Sequence, residues 1–333
     1  MRKHRGRVHD HTLIVGLLSP FSDKVQAIFR FKGIPFARVE QTPKVTAELL
    51  VPKTGKHLIP GLVKPDGSGL GDSTRIAHYA DELRPDPPLL PREPLLAFVN
   101  HLVEDYCDEW LTKVMFCLRW TFPADGERAA EVISRTMATA NVPAAELLQQ
   151  IPSRLRSQMH FLIGGPQNAP FFENEFRRIY AALDPHFAAY PYLFGPRPTL
   201  ADFALWGQSK QMLDDPTPGG WMRRDHPHVA AWIDRFTAGS YQRDARAPGD
   251  WIDPARLAPL YRRIEETYFP WVIANRKAVA AGEKTFRFGC DGFAIDFPAG
   301  GYLEKCFAAL ETRYRALSAS DRGAIDAIIR FPS

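Results

Sequence analysis

Short apolar runs alternate with amphipathic stretches over the first ninety residues of the chain. Residues 12–17 form an apolar run of the length typical of a buried strand. A helical period follows over 23–31, with Ser22 placed to cap the start of the helix and Gly33 to end it. This opening therefore predicts a strand that leads into a helix.

The next segments extend the same small domain. We expect a strand over 36–40, a weak helix over 44–50, and two strands on either side of the turn at 64–68. Asp72-Ser73 then opens a further helix. The resulting order, β-α-β-α-β-β-α, predicts an α/β domain that ends at about residue 84.

A proline-rich segment separates this domain from a strand-poor region. Five prolines fall within 84–94, which is typical of a linker, and we place the linker at 85–94. Residues 95–244 are predicted to form an all-helical domain. Its first helix, over 95–120, is long and amphipathic. Further helical patterns cover 127–140, 144–162, 171–189, 200–213 and 229–236.

The last ninety residues have a different pattern. Residues 257–280 are predicted to be helical, with Pro270 as a break or kink. A hairpin is predicted over 285–297, followed by a helix over 302–317. The phenylalanines of the hairpin are too numerous for a free tail. We therefore expect 245–333 to be an extension packed on the helical domain.

Composition adds few functional constraints. The chain has 333 residues, of which 45% are hydrophobic and 24% charged, as expected for a globular protein of two domains. A formal net charge of +4 gives no indication of nucleic-acid binding. The four cysteines form no Cys-x-x-Cys pair and indicate neither a disulfide framework nor a zinc site.

Nothing in the sequence predicts a membrane location. No stretch approaches the roughly 20 apolar residues that a membrane helix needs. The basic start of the chain lacks a small-residue cleavage site after its short apolar run, which disfavours a secretory signal. We expect residues 1–11 to be a disordered basic tail and the protein to be cytoplasmic.

The segment Ser19-Pro20-Phe21 carries the first resemblance to a known family. It resembles the Ser-Pro-Phe motif of tau-class glutathione S-transferases. The resemblance implies that Ser19 is catalytic and contacts the glutathione sulfur, with Phe21 beside it. Free amides at a helix start favour an anion such as a thiolate. Ser22 is the rival for the sulfur contact.

Two further segments resemble the same family. Ile59-Pro60 resembles its Ile/Val-Pro before the third strand, where the proline is cis and the preceding residue pairs with the cysteinyl backbone of glutathione. A trans bond is the alternative. Lys56 or His57 would then lie near the glycine carboxylate. Asp72-Ser73 resembles the family's Glu-Ser, which holds the γ-glutamyl end, although Asp is one methylene shorter than Glu.

A fourth segment lies in the helical half. Thr199 and Asp202 have the spacing of a capping box, and they fall in a Tyr-Leu-x-Gly…Thr-x-Ala-Asp pattern similar to the family's. This is a folding element. The family's electrophile site would be lined by the first long helix of the helical domain, which makes Tyr106 and Trp110 candidates. A core role is the alternative for both.

The order and spacing of these segments identify residues 12 to about 240 as similar to glutathione S-transferases. The resemblance implies a thioredoxin-like domain followed by an all-helical domain, and glutathione as co-substrate without a metal. It further implies transfer of the thiol to a small hydrophobic electrophile, as in detoxification, and a homodimer. The alternative is a non-enzymatic glutathione-binding or scaffold protein. Serine at position 19 disfavours a thiol oxidoreductase.

Overall fold

The computed structural model describes residues 11–332. The predicted disordered tail therefore lies outside the described residues, except for His11, which begins the first strand. The chain divides into two compact units. The first contains residues up to Leu89 together with Arg128–Ile151, and the second contains Leu90–Glu127 together with the chain from Pro152 onward. The division at 89/90 falls inside the segment predicted as a linker.

A four-stranded mixed sheet forms the centre of the first unit. The strands are ordered β2-β1-β3-β4. β1 pairs in parallel with β2 and antiparallel with β3, and β3 pairs antiparallel with β4. The strand bounds are β1 (His11–Val15), β2 (Phe36–Glu40), β3 (Gly61–Val63) and β4 (Gly69–Gly71).

Helices complete the predicted β-α-β-α-β-β-α order, which the structure confirms. The helix predicted over 44–50 is longer than expected, because a π-type turn at Thr46–Leu50 joins two short helices into one stretch. The bounds are α1 (Pro20–Phe31), α2 (Pro43–Val45), α3 (Val51–Thr54) and α4 (Ser73–Leu83).

The start of α1 differs from the prediction. Ser19, and not Ser22, is the N-cap residue, because its hydroxyl oxygen accepts a hydrogen bond from the Ser22 amide at 3.2 Å. Pro20 follows as the first helical residue, where its fixed φ suits a helix start. Gly33 follows the last turn with a φ of +61°, as expected for a helix end.

A buried lysine holds the proline-rich segment to the first unit. Lys32 Nζ donates to the carboxylate of Asp81 and to the carbonyl of Pro87, and the Leu89 amide donates to the same carboxylate at 3.0 Å. The Lys32 side chain is completely buried. Burial lowers the pKa of Lys32, and the hydrogen bond from Lys32 to Asp81 partly offsets that shift.

The second unit is helical before residue 254. A π-type turn at Cys107–Leu111 joins α5 to α6, so the long helix predicted over 95–120 is continuous. α7 and α8 contribute residues to both units. The bounds are α5 (Pro94–Tyr106), α6 (Thr112–Thr121), α7 (Pro123–Met137), α8 (Ala144–Ser157), α9 (Met159–Ile163), α10 (Ala169–Ala189), α11 (Leu200–Asp214), α12 (Pro216–Asp225), α13 (Pro227–Thr237) and α14 (Ser240–Arg243).

The C-terminal extension contains the predicted helix, hairpin and helix. Pro270 does not break its helix: it is the second residue of α16 and comes just after a π-type turn, where a missing amide hydrogen bond is accommodated. The bounds are a 3₁₀ turn (Pro254–Leu257), α15 (Ala258–Arg263), the π-type turn (Ile264–Tyr268), α16 (Phe269–Ala281), β5 (Thr285–Cys290), β6 (Phe293–Pro298), α17 (Gly301–Ala316) and α18 (Ala319–Asp326).

The extension shares one core with the helices that precede it. Trp110 of the π-type turn after α5 packs against Trp271 of α16 at 5.3 Å and Phe288 of β5 at 5.6 Å between ring centroids. Arg263 of α15 pairs with Glu175 of α10, and both side chains are almost fully buried. The extension is therefore part of the folded second unit.

Replacing the buried lysine should loosen the proline-rich segment. We expect Lys32→Met to reduce stability by about 1–3 kcal/mol, because it removes the ammonium donor from both the Asp81 carboxylate and the Pro87 carbonyl. The measurements are the melting temperature and the rate of limited proteolysis within 84–92.

Lys44→Met is the matched control, since the Lys44–Glu48 pair is largely exposed. It should change stability by less than about 1 kcal/mol. Equal melting temperatures and equal cleavage rates for the two variants would contradict the role assigned to Lys32.

Candidate functional site

The strand register brings three of the predicted segments to one end of the sheet. Gly61, the first residue of β3, pairs with Ile14 of β1 on one side and with Gly71 of β4 on the other. The carboxyl ends of β1 and β4 therefore flank the start of β3. Ser19 follows β1, Ile59-Pro60 precedes β3, and Asp72-Ser73 follows β4.

β2 contributes a residue to this end of the sheet that the sequence analysis did not identify. The Gln41 amide donates to the Val15 carbonyl at 2.8 Å, and its Nε2 donates to the His57 carbonyl at 3.2 Å. Gln41 thus links the end of β1 to the segment before β3. Its position directly after a strand parallel to β1 is the signal that would have indicated it.

Hydrogen bonds hold the turn between β1 and α1. The Ser19 amide donates to the Gly16 carbonyl at 3.3 Å, and the Gly16 amide donates to the Ser22 hydroxyl at 3.2 Å. Ser22 is fully buried, whereas Ser19 and Phe21 are partly exposed. A serine hydroxyl that accepts an amide hydrogen bond keeps its own O–H as a donor. Ser19 can therefore cap α1 and also donate to a ligand.

The segment before β3 lies against this turn. The Ile59–Pro60 peptide bond is cis, as in the family that the sequence resembles. Gly16 allows the Ile59 side chain to approach closely, because a methyl group on Gly16 would lie 2.5 Å from Ile59 Cδ1. Lys56 and His57 are exposed. The Lys56 stem runs beside β4, since a methyl group on Gly71 would lie 3.8 Å from Lys56 Cδ.

The segment after β4 has an unusual backbone. Asp72 has a φ of +85°, which is uncommon for a residue other than glycine. Its side chain caps α4 by accepting hydrogen bonds from the Thr74 amide at 3.1 Å and the Arg75 amide at 3.3 Å. Ser73 is the first residue of α4 and is buried. Asp72 thus combines an unfavourable backbone conformation with a side chain that caps α4.

Two helix N-termini consequently face the same end of the sheet. α1 begins after β1 and α4 begins after β4, and β3 lies between these strands. Two interstrand spacings separate the ends of β1 and β4 by roughly 10 Å. The dipole of each helix start favours negative charge. This end of the sheet is therefore suited to an extended ligand that carries two anionic groups.

The structure corrects the prediction that Tyr106 and Trp110 line an electrophile pocket. Their exposed fractions are 1% and 0%, and Trp110 Nε1 donates to Glu175 at 3.0 Å. Aromatic rings of the extension enclose both residues, with Tyr268 5.8 Å from Tyr106 between centroids. Both residues are core residues because the extension occupies the space beside them.

The predicted capping box at the start of α11 is present. The Asp202 carboxylate accepts from the Thr199 amide at 2.9 Å and from the Leu193 amide at 2.8 Å. Burial raises the pKa of Asp202 to about 6, and the hydrogen bonds that it accepts oppose this shift. Asp202 joins the start of α11 to the preceding loop and has a structural role.

Residues 11–332 contain neither a candidate metal cluster nor a candidate membrane-spanning helix. No group of three or more His, Cys, Asp or Glu side chains is arranged to hold a metal ion there. None of the helices in this range is long and apolar enough to cross a membrane.

A four-stranded mixed sheet in β-α-β-α-β-β-α order, followed by a helical unit, is the architecture of a thioredoxin-like domain joined to a helical domain. The family model described as the N-terminal domain of glutathione S-transferase matches residues 13–88. The model described as the C-terminal domain of glutathione S-transferase matches residues 144–235. Together they cover just over half of the chain, which belongs to the glutathione S-transferase family.

Solved structures of this family resemble the chain at low sequence identity. The beta-etherase LigF of a Sphingobium strain is 20% identical with a TM-score of 0.52, and the match covers 71% of this chain and 98% of LigF. This likeness shows the shared fold.

A glutathione S-transferase of Methylobacterium radiotolerans, in complex with glutathione sulfonate, is 23% identical with a TM-score of 0.46, covering 73% and 98% of the two chains. A tau-class enzyme of mango (Mangifera indica) is 17% identical with a TM-score of 0.45, covering 77% and 98%. No curated protein matches the chain in sequence.

Substitutions of Asp72 should separate two contributions to stability: the gain from its helix cap and the cost of its strained backbone. Asp72→Ala removes the cap and keeps the strained φ, so we expect a loss of about 1–2 kcal/mol. Asp72→Gly removes the cap but relieves the strain, so it should be about 1 kcal/mol more stable than the alanine variant. Asp72→Asn retains a cap and should stay close to wild type.

The measurement is chemical unfolding of the three variants beside wild type. Equal stability of the alanine and glycine variants would show that the backbone at position 72 is not constrained as described.

Proposed function

We propose that the first unit binds glutathione at the end of the sheet where α1 and α4 begin, and that Ser19 holds its thiol as a thiolate. The convergence of two helix N-termini on either side of the Ile59-Pro60 segment is the observation that carries this proposal.

Each part of glutathione then has a partner of suitable chemistry. The thiolate lies at the start of α1 and accepts a hydrogen bond from Ser19, with Phe21 beside it. The cysteinyl backbone pairs with the Ile59 backbone beside Pro60, as one strand pairs with another. The γ-glutamyl carboxylate lies at the start of α4 with Ser73, and Asp72 takes the ammonium group. The glycine carboxylate lies near Lys56 or His57.

In this proposal the hydroxyl of Ser19 lowers the pKa of the bound thiol. A free thiol has a pKa of about 8.5, and lowering it by about two units takes roughly 2.7 kcal/mol of preferential thiolate stabilisation. A hydrogen bond to a charged group contributes about 1.5–3 kcal/mol, and a helix start adds about 0.3–1 kcal/mol. Together these two contributions come to about 1.8–4 kcal/mol, a range that includes the stabilisation required.

The proposed reaction is transfer of glutathione to a small hydrophobic electrophile. The thiolate sulfur donates an electron pair to the electrophilic carbon, and the displaced group leaves with the electrons of its broken bond. A cytoplasmic homodimer and a role in detoxification are part of the same proposal. Disulfide exchange is less favoured, because position 19 is serine and the first cysteine of the chain is Cys107.

The alternative is a protein of this fold that binds glutathione without turnover. The observation in its favour is the placement of Tyr106 and Trp110, since the two side chains predicted to contact an electrophile are enclosed in the core. A panel of an aryl halide, an unsaturated carbonyl and an aryl ether distinguishes the two functions. Turnover of at least one favours the transferase, and binding without turnover of any favours the alternative.

Replacing Ser19 by alanine should raise the pKa of the bound thiol. The loss of one hydrogen bond to the thiolate corresponds to about 1–2 pKa units, and to a roughly 3- to 25-fold lower kcat/KM near pH 7 for any electrophile that is turned over, because a smaller fraction of the bound thiol is then ionised. The thiol pKa is measured from the ultraviolet absorbance of bound thiolate as a function of pH.

Ser318→Ala is the matched control for this experiment. Ser318 also caps a helix, α18, and its hydroxyl accepts from the Asp321 amide at 3.0 Å. Its loss should cost about 1 kcal/mol of helix stability and leave the thiol pKa unchanged. An unchanged thiol pKa in Ser19→Ala would exclude Ser19 as the sulfur ligand.

A further inference from the structure

The segment directly before β3 has few hydrogen bonds of its own. Residues 55–60 belong to no helix or strand. Within residues 11–332, neither the amide nor the carbonyl of Ile59 forms a hydrogen bond. The pairing of β3 with β1 begins only at Gly61, which lies opposite Ile14. The position of the Ile59 backbone therefore depends on contacts from neighbouring elements.

The side chain of Gln41 supplies one of these contacts. Its Nε2 donates to the His57 carbonyl at 3.2 Å and to the Thr46 hydroxyl at 3.3 Å. A carbonyl oxygen can only accept, so the group that faces His57 is the NH₂ of the Gln41 amide, and its two hydrogens match the two acceptors. Gln41 thus holds the chain just before Ile59 through a bond that requires a donor.

The backbone of Gln41 is itself fixed to β1. The Gln41 amide donates to the Val15 carbonyl at 2.8 Å, which continues the parallel pairing of β1 with β2. Gly16 follows Val15 and leaves the space into which Ile59 Cδ1 packs. The end of β1 therefore holds the segment before β3 in two ways. Packing at Gly16 fixes the Ile59 side chain, and Gln41 fixes the His57 carbonyl.

We propose that Gln41 is a positioning residue for glutathione, which holds the Ile59 backbone where it pairs with the cysteinyl backbone of the ligand. This inference rests on the proposed function, because it takes the Ile59 segment as the part of the site that binds the cysteinyl residue. Gln41 acts through the His57 carbonyl. The sulfur and the γ-glutamyl end of glutathione are bound by other elements.

Gln41 and Ser19 should consequently affect different properties of the bound ligand. The turn that carries Ser19 has its own hydrogen bonds, which involve Gly16 and Ser22. Loss of the Gln41 donor frees residues 55–59 and leaves that turn intact. Glutathione then has to order the segment as it binds, and this ordering lowers the affinity. Stabilisation of the thiolate by Ser19 is unchanged.

Gln41→Met tests this role, because it keeps the length of the side chain and removes the donor. The measurements are the Kd of glutathione by calorimetry under reducing conditions, the pKa of the bound thiol and the melting temperature. We expect a Kd about 3- to 10-fold higher than that of wild type, which is the factor that one neutral hydrogen bond contributes. The thiol pKa should stay at the wild-type value.

A second ligand distinguishes positioning from a general loss of structure. A depsipeptide analogue of glutathione, with an ester oxygen in place of the cysteinyl N–H, cannot donate to the Ile59 carbonyl. If Gln41 acts through this pairing, Gln41→Met should weaken binding of the analogue by a smaller factor than binding of glutathione. An equal factor for the two ligands, or a shifted thiol pKa, would overturn the positioning role.

Two further variants complete the experiment. Gln41→Glu has nearly the same shape but no donor when ionised, so it should raise the Kd at least as much as Gln41→Met. Gln150→Met is the matched control, since Gln150 Nε2 donates to Glu146 at the same 3.2 Å on α8, and it should bind glutathione like wild type.

The outcomes separate this role from the function on which it rests. Wild-type affinity in both Gln41 variants would overturn the positioning role alone and leave the glutathione site in place. An absence of glutathione binding by the wild-type protein would overturn the proposed function and this role together.

Discussion

The pairing of Gly61 with strands on both sides is the constraint on which the candidate site depends. β3 is only three residues long, yet it pairs with Ile14 of β1 and Gly71 of β4 through its first residue. This register aligns the end of β1, the start of β3 and the end of β4. A shift of one residue would move the starts of α1 and α4 relative to the Ile59-Pro60 segment. Gly61 is also sterically required, since a methyl group there would lie 2.5 Å from Leu50 Cδ1.

The extension determines the environment of the first long helix of the second unit. Glu175 accepts from Trp110 Nε1 and from Arg263, so one buried carboxylate connects α10, the segment after α5 and the extension. Removing one partner from such a buried pair leaves an uncompensated charge, which is typically costly by about 3–5 kcal/mol. The aromatic side chains expected to meet a second substrate are instead part of this core. The extension thus supplies part of the surroundings of α5 and of the turn that follows it.

The order of elements could be predicted because each depends on local signals. The apolar run at 12–17, the capping box of Thr199 and Asp202 and the phenylalanine alternation of the hairpin all appear in the structure. Local signals do not predict an element or a cap whose formation depends on tertiary contacts. α12 contains two prolines and two glycines, and its sequence gives little helical preference. Ser19 and Ser22 are both plausible caps, and only the fold of the turn assigns the cap to Ser19.

For the candidate site, the sequence contained the residues but not their geometry. The sequence indicates Asp72 by its carboxylate, whereas its φ of +85° and its contacts with the start of α4 follow from the end of β4. The role of Gln41 could not be predicted, because it depends on the parallel pairing of β1 and β2. Tyr106 and Trp110 had the spacing of a helix face, which does not distinguish a pocket from a core. Their burial follows from chain segments more than 150 residues later.

The central claim is that glutathione lies across the end of the sheet with its sulfur at Ser19. A crystal structure of the full chain with glutathione bound tests this most directly, through the distance from the sulfur to the two serine hydroxyls. We expect Ser19 Oγ within about 3.5 Å of the sulfur, and the γ-glutamyl carboxylate at the start of α4. A sulfur bound to Ser22, or a tripeptide bound elsewhere on the chain, would contradict it.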